Sequence, residues 1–242
     1  MTGDRYARQR DLIGADGQRR LQEARVFVAG MGGLGCTIAL HLAAAGIGSL
    51  RFADFDLVEL SNLNRQILHW ERDIGREKAA SAEEKLHAIN PDMEIFGHSA
   101  RIGDANVSEL VADADLIVDA MDSYPPRYIL NREARKRDIP FIHGAVQGFY
   151  GQATTIIPRR TPCLSCIIPR PPPEENVQIL GTTAGIIGLI EANEVIKFLL
   201  DRGDLLTGRL AIWNGLAGTL SELPVVADPD CPVCGAVGEA EP

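Results

Sequence analysis

The stretch RVFVAGMGGLGCTIALHLAAAG, residues 25–46, decides the fold. Its residues 25–30 are an apolar run of the length of a buried strand, and residues 34–46 read as a helix rich in small side chains that closes on glycine. Between them GMGGLG, residues 30–35, fits G-x-G-x-x-G. It sits after a strand and at a helix start, where such glycines let backbone approach a phosphate that the helix N-terminus then favours. The spacing alone is a weak signal, because a glycine turn can serve tight packing only. A second strand, residues 49–53, strengthens it by ending on Asp54, nineteen positions past Gly35. A carboxylate there can accept hydrogen bonds from ribose hydroxyls, so the stretch predicts a nucleotide-binding βαβ unit.

The same alternation continues outward. A helix is expected over 78–89, stopping before Asn90-Pro91, then a strand over 94–98, a short helix over 104–112 and a strong strand over 115–120. An amphipathic helix over 128–137 and a strand over 140–143 follow. This is the pattern of an α/β, Rossmann-like, doubly wound sheet, parallel in its N-terminal half. Beyond Gly144, GQATTIIP, RLAIWNG and GTLSELP read as strands with little helix between them, which predicts an antiparallel C-terminal extension. The exception is 184–200, where Leu189, Ala192, Ile196 and Leu199 recur at helical spacing beneath an acidic face and predict a helix packed on the sheet. A single domain over 1–242 is expected, with a nucleotide-binding half over about 1–145 and a second half over about 146–242. The proline-rich PRPPPEENVQILGTTAG, residues 169–185, can be neither strand nor helix for half its length and reads as an extended loop crossing the surface.

Bulk properties bound the function. The 242 residues, 45% hydrophobic, suffice for an ordinary globular core. A formal net charge of −9 argues against nonspecific nucleic-acid or anionic-membrane binding, both of which need a basic footprint. The charged N-terminus lacks the apolar core of a signal peptide, and no apolar run reaches a membrane span. A cytoplasmic location is expected, where paired cysteines more often hold metal than form disulfides.

The polar connection DFDLVELSNLNRQ, residues 54–66, helps to select the nucleotide. It supplies Arg65, and IGREK at 74–78 supplies Lys78. A nicotinamide dinucleotide needs only the helix end for its pyrophosphate, whereas two fixed cations suit a triphosphate that loses pyrophosphate. In DAMDS, residues 119–123, an apolar strand ends in acids, and Asp122 is placed to hold magnesium on the phosphates, with Asp119 a structural capping or turn acid. CLSC at 163–166 and CPVC at 231–234 place Cys163, Cys166, Cys231 and Cys234 as a closed tetrathiolate set for structural zinc, the alternatives being a redox dithiol or local disulfides. Cys36 reads as a small packed residue behind the glycine loop, and His143 as a structural histidine.

Taken together, RYARQ, GMGGLG, DFDLVELSNLNRQ, IGREK, DAMDS, GFYGQ and the two C-x-x-C pairs occur in the order of the ThiF/MoeB/HesA family, relatives of ubiquitin-activating enzymes, which the chain resembles over almost its whole length. The resemblance implies a homodimer that joins ATP to the C-terminal glycine carboxylate of a ubiquitin-like sulfur-carrier protein ending in Gly-Gly, releasing pyrophosphate, in molybdopterin, thiamine or a related sulfur pathway. It implies nucleotide contacts from Gly30, Gly32 and Gly33, ribose contact from Asp54, and phosphate contacts from Asn62, Arg65 and Lys78. It further implies magnesium on Asp122 and an Arg8 that reaches the partner subunit's ATP. The second half then becomes a zinc-tethered carrier-binding half whose crossing loop, near 169–183, lies over the carrier's tail. Two positions depart from the pattern. Ser123 replaces a usual asparagine, and the loop cysteine of some members falls at about Glu174, with no cysteine between Cys166 and Cys231. The expected enzyme is therefore an adenylyltransferase that forms no carrier thioester at that place. A nicotinamide-dependent oxidoreductase and a non-catalytic carrier-binding scaffold are the alternatives.

Overall fold

The computed structural model describes residues 4–171 and 178–235; Glu174, Glu175 and Asn176 of the crossing loop lie outside them. The order is α1 (Ala7–Glu23), β1 (Arg25–Ala29), α2 (Gly33–Ala45), β2 (Ser49–Ala53), α3 (Lys78–Ile89), β3 (Glu94–His98), α4 (Val107–Val111), β4 (Leu116–Asp119) and α5 (Tyr124–Arg137). There follow β5 (Phe141–Gln147), β6 (Tyr150–Ile156), α6 (Leu164–Ile167), α7 (Gly181–Leu200), β7 (Arg209–Asn214) and β8 (Thr219–Pro224), with short 3₁₀ turns at Leu60–Asn62 and Glu71–Asp73. The strands form one sheet in the order β3-β2-β1-β4-β5-β6-β7-β8. The five on the β3 side are mutually parallel, and each later pairing is antiparallel.

Period-two alternation divides the core between the sheet's faces. Val26, Val28, Leu50, Phe52 and Val118 pack with Ile38, Leu42, Leu86, Ile187 and Val195 of α2, α3 and α7. Phe27, Ala29, Ile117 and Phe141 point the other way, onto Val107, Leu110, Leu130 and Ala134 of α4 and α5. Covered on both faces, β1 and β4 read as unbroken apolar runs, which is why the sequence exposes them so clearly.

Three elements differ from expectation. Helix α1 has no counterpart in the sequence reading. It is polar, broken at Gly14 (φ 78°), and buries little beyond Ile13, Gln18 and Leu21, so its pattern is faint. Helix α5 begins four residues before the expected start, because Pro125 and Pro126 stand in its first turn, where a missing amide costs nothing. On α7 the spacing is right for Ala192, which is buried, and for Ile196 and Leu199, which pack partly buried on the core, but not for Leu189 or for the acids, which were expected outside. Leu189 is exposed, whereas Glu191 and Glu194 are buried with Ala184, Ile187 and Val195. Glu194 is tolerated there because it accepts from Thr155 Oγ1 at 2.6 Å and from the Leu206 amide at 2.7 Å.

Candidate active site

The carboxyl ends of β1, β2 and β4 meet at the glycine loop. Gly30 holds φ 96°, and a Cβ there would lie 2.9 Å from the Ala120 carbonyl oxygen, so this backbone runs against the end of β4. A Cβ on Gly35 would fall 1.9 Å from the Gly30 oxygen, and one on Gly33 would press on Ala184 of α7 at 3.1 Å. Gly32 is different: a Cβ there would meet nothing nearer than Gln66 Nε2 at 3.8 Å. It opens α2, which has no side-chain cap, so the first amides of a 13-residue helix face this open side. The cradle fits a phosphate. Cys36 packs behind it, its Sγ 3.2 Å from the Met31 oxygen, with burial pushing the thiol up to about 12, so it is inert.

Asp54 is fixed before any ligand arrives. Its Oδ2 accepts from the Met31 amide at 2.7 Å and its Oδ1 from the Asp56 amide at 2.9 Å, which leaves one lone pair on each oxygen for a ribose. Burial pushes its carboxyl up, opposed by the charge of Lys78. Lys78 is buried at the start of α3 and donates to Asp56 Oδ2 at 2.8 Å. Asn62 is buried in its 3₁₀ turn, accepting from the Glu59 amide at 3.0 Å. Arg65 donates to the Ser61 carbonyl at 2.9 Å and to Asn64 Oδ1 at 3.0 Å. Its segment is wedged between the glycine loop and the start of α7: a Cβ on Gly33 would lie 3.5 Å from Arg65 Cγ, and one on Gly181 3.3 Å from Arg65 Cα. Thus Gly32, Asp54, Asn62, Arg65 and Lys78 converge on one end of the sheet.

Sequence reading missed the support beneath them. His69 is buried, and burial lowers its pKa, so the neutral ring donates from Nε2 to the Met31 oxygen at 3.1 Å and accepts at Nδ1 from Ser81 Oγ at 2.9 Å. The Met31 peptide is therefore held by Asp54 at its amide and by His69 at its carbonyl. Ser81 in turn accepts from Lys85, which pairs with the fully buried Asp73. No motif spacing marks His69; only its hydrogen bonds do.

Asp122 is exposed in the turn after β4, next to the glycine loop, since a Cβ on Gly30 would come within 3.6 Å of Met121 Sδ. Asp119 is buried and structural, accepting from His143 Nδ1 at 2.6 Å. Arg8 is exposed on α1, beside Gln9, which donates to the Ala45 carbonyl just ahead of β2. It thus lies at the amino ends of the strands, the end opposite the glycine loop. A shallow cleft of about 340 Å³, lined by Tyr6, Glu23, Arg25 and Asp92 among others, is at that same far end and holds none of the convergent groups.

The four paired cysteines come together. Their sulfurs all lie within 4.8 Å of one another, with Cys163–Cys231 at 3.6 Å and Cys166–Cys234 at 3.3 Å. Tetrahedral zinc with Zn–S near 2.3 Å requires S···S of about 3.8 Å, so the set fits a closed zinc site and leaves no position for catalysis. The cluster is tied to α5, because Arg135 donates to the Cys234 carbonyl at 2.7 Å and Asn131 Oδ1 accepts from the Leu164 amide at 3.0 Å. Among the described residues no helix is long and apolar enough to cross a membrane.

Comparison with known proteins finds relatives in sequence and in fold. The sequence model of the ThiF family matches residues 6–233. The chain is 43% identical to the SAMP-activating enzyme E1 of Haloferax volcanii, over 97% of this chain and 90% of that protein. It is 37% identical to the sulfur carrier protein adenylyltransferase of Thermus thermophilus, over 96% and 90%. Among solved structures, E. coli MccB with AMPCPP and MccA superimposes with a TM-score of 0.86 over 97% of this chain and 75% of that one; at 23% identity this is a likeness of fold.

Proposed function

The chain belongs to the ThiF family, and from that premise we propose that it is an ATP-using adenylyltransferase that activates the C-terminus of a ubiquitin-like sulfur-carrier protein. The observation that carries the reading is the convergence of the open Gly32 cradle, the pre-fixed Asp54, the Arg65 and Lys78 cations and the exposed Asp122 at one sheet end. A dehydrogenase site has no need of the last three.

A carboxylate is a poor electrophile, and adenylation gives it a good leaving group. An oxygen of the carrier's terminal carboxylate attacks the α-phosphorus of ATP. The bond from that phosphorus to its bridging oxygen breaks, and pyrophosphate leaves with the electron pair. No proton has to move. Asp54 receives the ribose hydroxyls, while Gly30, Gly32, Gly33 and the N-terminus of α2 receive the phosphates. Asn62, Arg65 and Lys78 stabilise charge on the departing pyrophosphate, for which Lys78 must share or release Asp56. Asp122 would hold magnesium, which neutralises phosphate charge when bound. Arg8 lies a strand length, about 15 Å, from its own glycine loop, which suits service to the partner subunit's ATP in a homodimer. The crossing segment near 169–183, anchored at the cysteine cluster and at α7, guides the carrier tail, and lacking a thiol it passes on an acyl-adenylate. The division into a nucleotide half over 1–145 and a carrier half over 146–242 follows from these roles.

The test is ATP–pyrophosphate exchange with carriers ending in Gly-Gly. Exchange should depend on the carrier and fall about 100-fold or more in Asp122→Ala and in Arg65→Ala. Exchange that survives in both variants overturns the site, and absence of exchange with every such carrier overturns the substrate class.

A further inference from the structure

Beneath the Asp122 turn lies a buried network that the chemistry above does not use. Asp119 ends β4 and is the register partner of His143 on β5, and both side chains are fully buried. The two oxygens of Asp119 have separate tasks: Oδ2 accepts from His143 Nδ1 at 2.6 Å, and Oδ1 accepts from the Met121 amide at 3.1 Å. From the other direction Arg127, also buried, donates to the Met121 carbonyl, with its Nε 3.6 Å from Asp119 Oδ2. Tyr124 covers the guanidinium, 5.1 Å from ring centre to Cζ. Met121 is thus gripped at its amide by an accepting carboxylate and at its carbonyl by a donating guanidinium, and that carbonyl belongs to the peptide from which Asp122 departs.

Glu191 of α7 enters the same region. Its carboxyl lies against the backbone of Gly144, where a Cβ would stand 2.3 Å from Glu191 Cδ, and neither of its oxygens has a hydrogen-bond partner among the described residues. Burial first, and then the charge of Asp119, push its carboxyl well up, while burial pushes His143 down. The network's buried ion pair is Arg127 with Asp119.

From this geometry we infer that Arg127 is a positioning residue for the adenylation: braced by Asp119 and His143, it locks the Met121 peptide so that Asp122 is already aimed where the phosphate-bound cation must sit. The inference rests on the reading of Asp122 as the magnesium ligand. Arginine is favoured because its extended, planar guanidinium reaches the carbonyl through Nη2 while its Nε side stands 3.6 Å from the carboxylate as an ion pair, whereas lysine offers a single point charge that can keep only one of the two.

The test is Arg127→Lys, which preserves the buried charge. Its apparent affinity for Mn²⁺ in the presence of a non-hydrolysable ATP analogue, read by electron paramagnetic resonance, should weaken about 5- to 10-fold. In parallel, the magnesium concentration for half-maximal exchange should rise and kcat should fall, with KM for the carrier within about twofold of wild type. If Arg127→Lys melts below the assay temperature, the neutral pair Asp119→Asn with Arg127→Gln keeps hydrogen bonds without a buried charge and carries the same measurement. Wild-type Mn²⁺ affinity and magnesium dependence in these variants, with exchange lost in Asp122→Asn, overturns this inference alone. Undiminished exchange in Asp122→Asn overturns the reading of the site beneath it.

Discussion

Two glycines of one loop, Gly32 and Gly35, separate packing from ligand contact, and substituting each by alanine tests both. At Gly35 the new Cβ would stand 1.9 Å from the Gly30 carbonyl oxygen. A tolerable contact needs about 3.2 Å, so loop and helix must part by more than an ångström, a strain of the overpacking kind worth about 1–3 kcal/mol. Alanine's better helix propensity returns up to about 1 kcal/mol. A net loss of about 1–2 kcal/mol lowers the Tm of a chain this size by roughly 2–8 °C. At Gly32, φ is −82° and the nearest atom is 3.8 Å away, so there is no clash, and stability should fall by no more than about 1 kcal/mol, the cost of alanine at a helix N-cap. The same methyl would occupy the open cradle, and KM for ATP should rise at least about 10-fold. Thermal melts with and without ATP, together with exchange kinetics, read both effects. A Gly32→Ala protein with wild-type ATP KM would refute the cradle, and a Gly35→Ala protein with unchanged Tm would refute the packing argument.

Stripping the metal from the cysteine cluster opens a tether between Cys163 and Cys234; closing a loop of that length is worth about 4 kcal/mol by chain entropy, so Tm should fall by roughly 8–16 °C. An unchanged melt after verified metal removal would exclude the tether. Asp73→Asn removes the partner of the buried Lys85 and should cost about 3–5 kcal/mol in urea denaturation at pH 7. In the wild type, burial tends to raise Asp73, but Lys85 and the Trp70 amide outweigh it and hold the carboxyl at about 2. Its folded pKa is depressed, so its contribution is present above about pH 4 and lost as pH falls through 2; roughly 1 kcal/mol should be gone by pH 3 in the wild type and not in Asp73→Asn. For the trans arginine, Arg8→Ala and Asp122→Ala should each be inactive alone, whereas their co-expressed mixture recovers about a quarter of wild-type exchange, because each mixed dimer holds one intact site. No recovery in verified mixed dimers would place Arg8 outside the partner's site.

The nucleotide half was legible because its signals are local. β1, the glycine loop and α2 follow one another in 22 residues, and apolar runs covered on both faces need no partner to be recognised. The cysteine pairs were equally plain, since C-x-x-C is short-range even when its mates are far away. α1 was not legible, because two interior glycines and a polar surface leave few apolar residues at helical spacing. α7 was read correctly at Ala192, Ile196 and Leu199 and wrongly at Leu189 and the acids: spacing tells which residues share a face, not how far that face extends, and Glu194 is inside because Thr155 and the Leu206 amide receive it, with the Glu191 carboxyl pushed well up by burial.

By itself the sequence determined which residue types were available for phosphate, ribose and metal, and the order of strand and helix that brings them to one end. Tertiary structure alone decided what holds them there. His69 on the Met31 carbonyl, His143 on the Asp119 that holds the Met121 amide, and Asp56 on Lys78 are contacts between residues 38, 24 and 22 positions apart. They exist because crossover connections bring strand ends together, a consequence of sheet order that no spacing along the chain records.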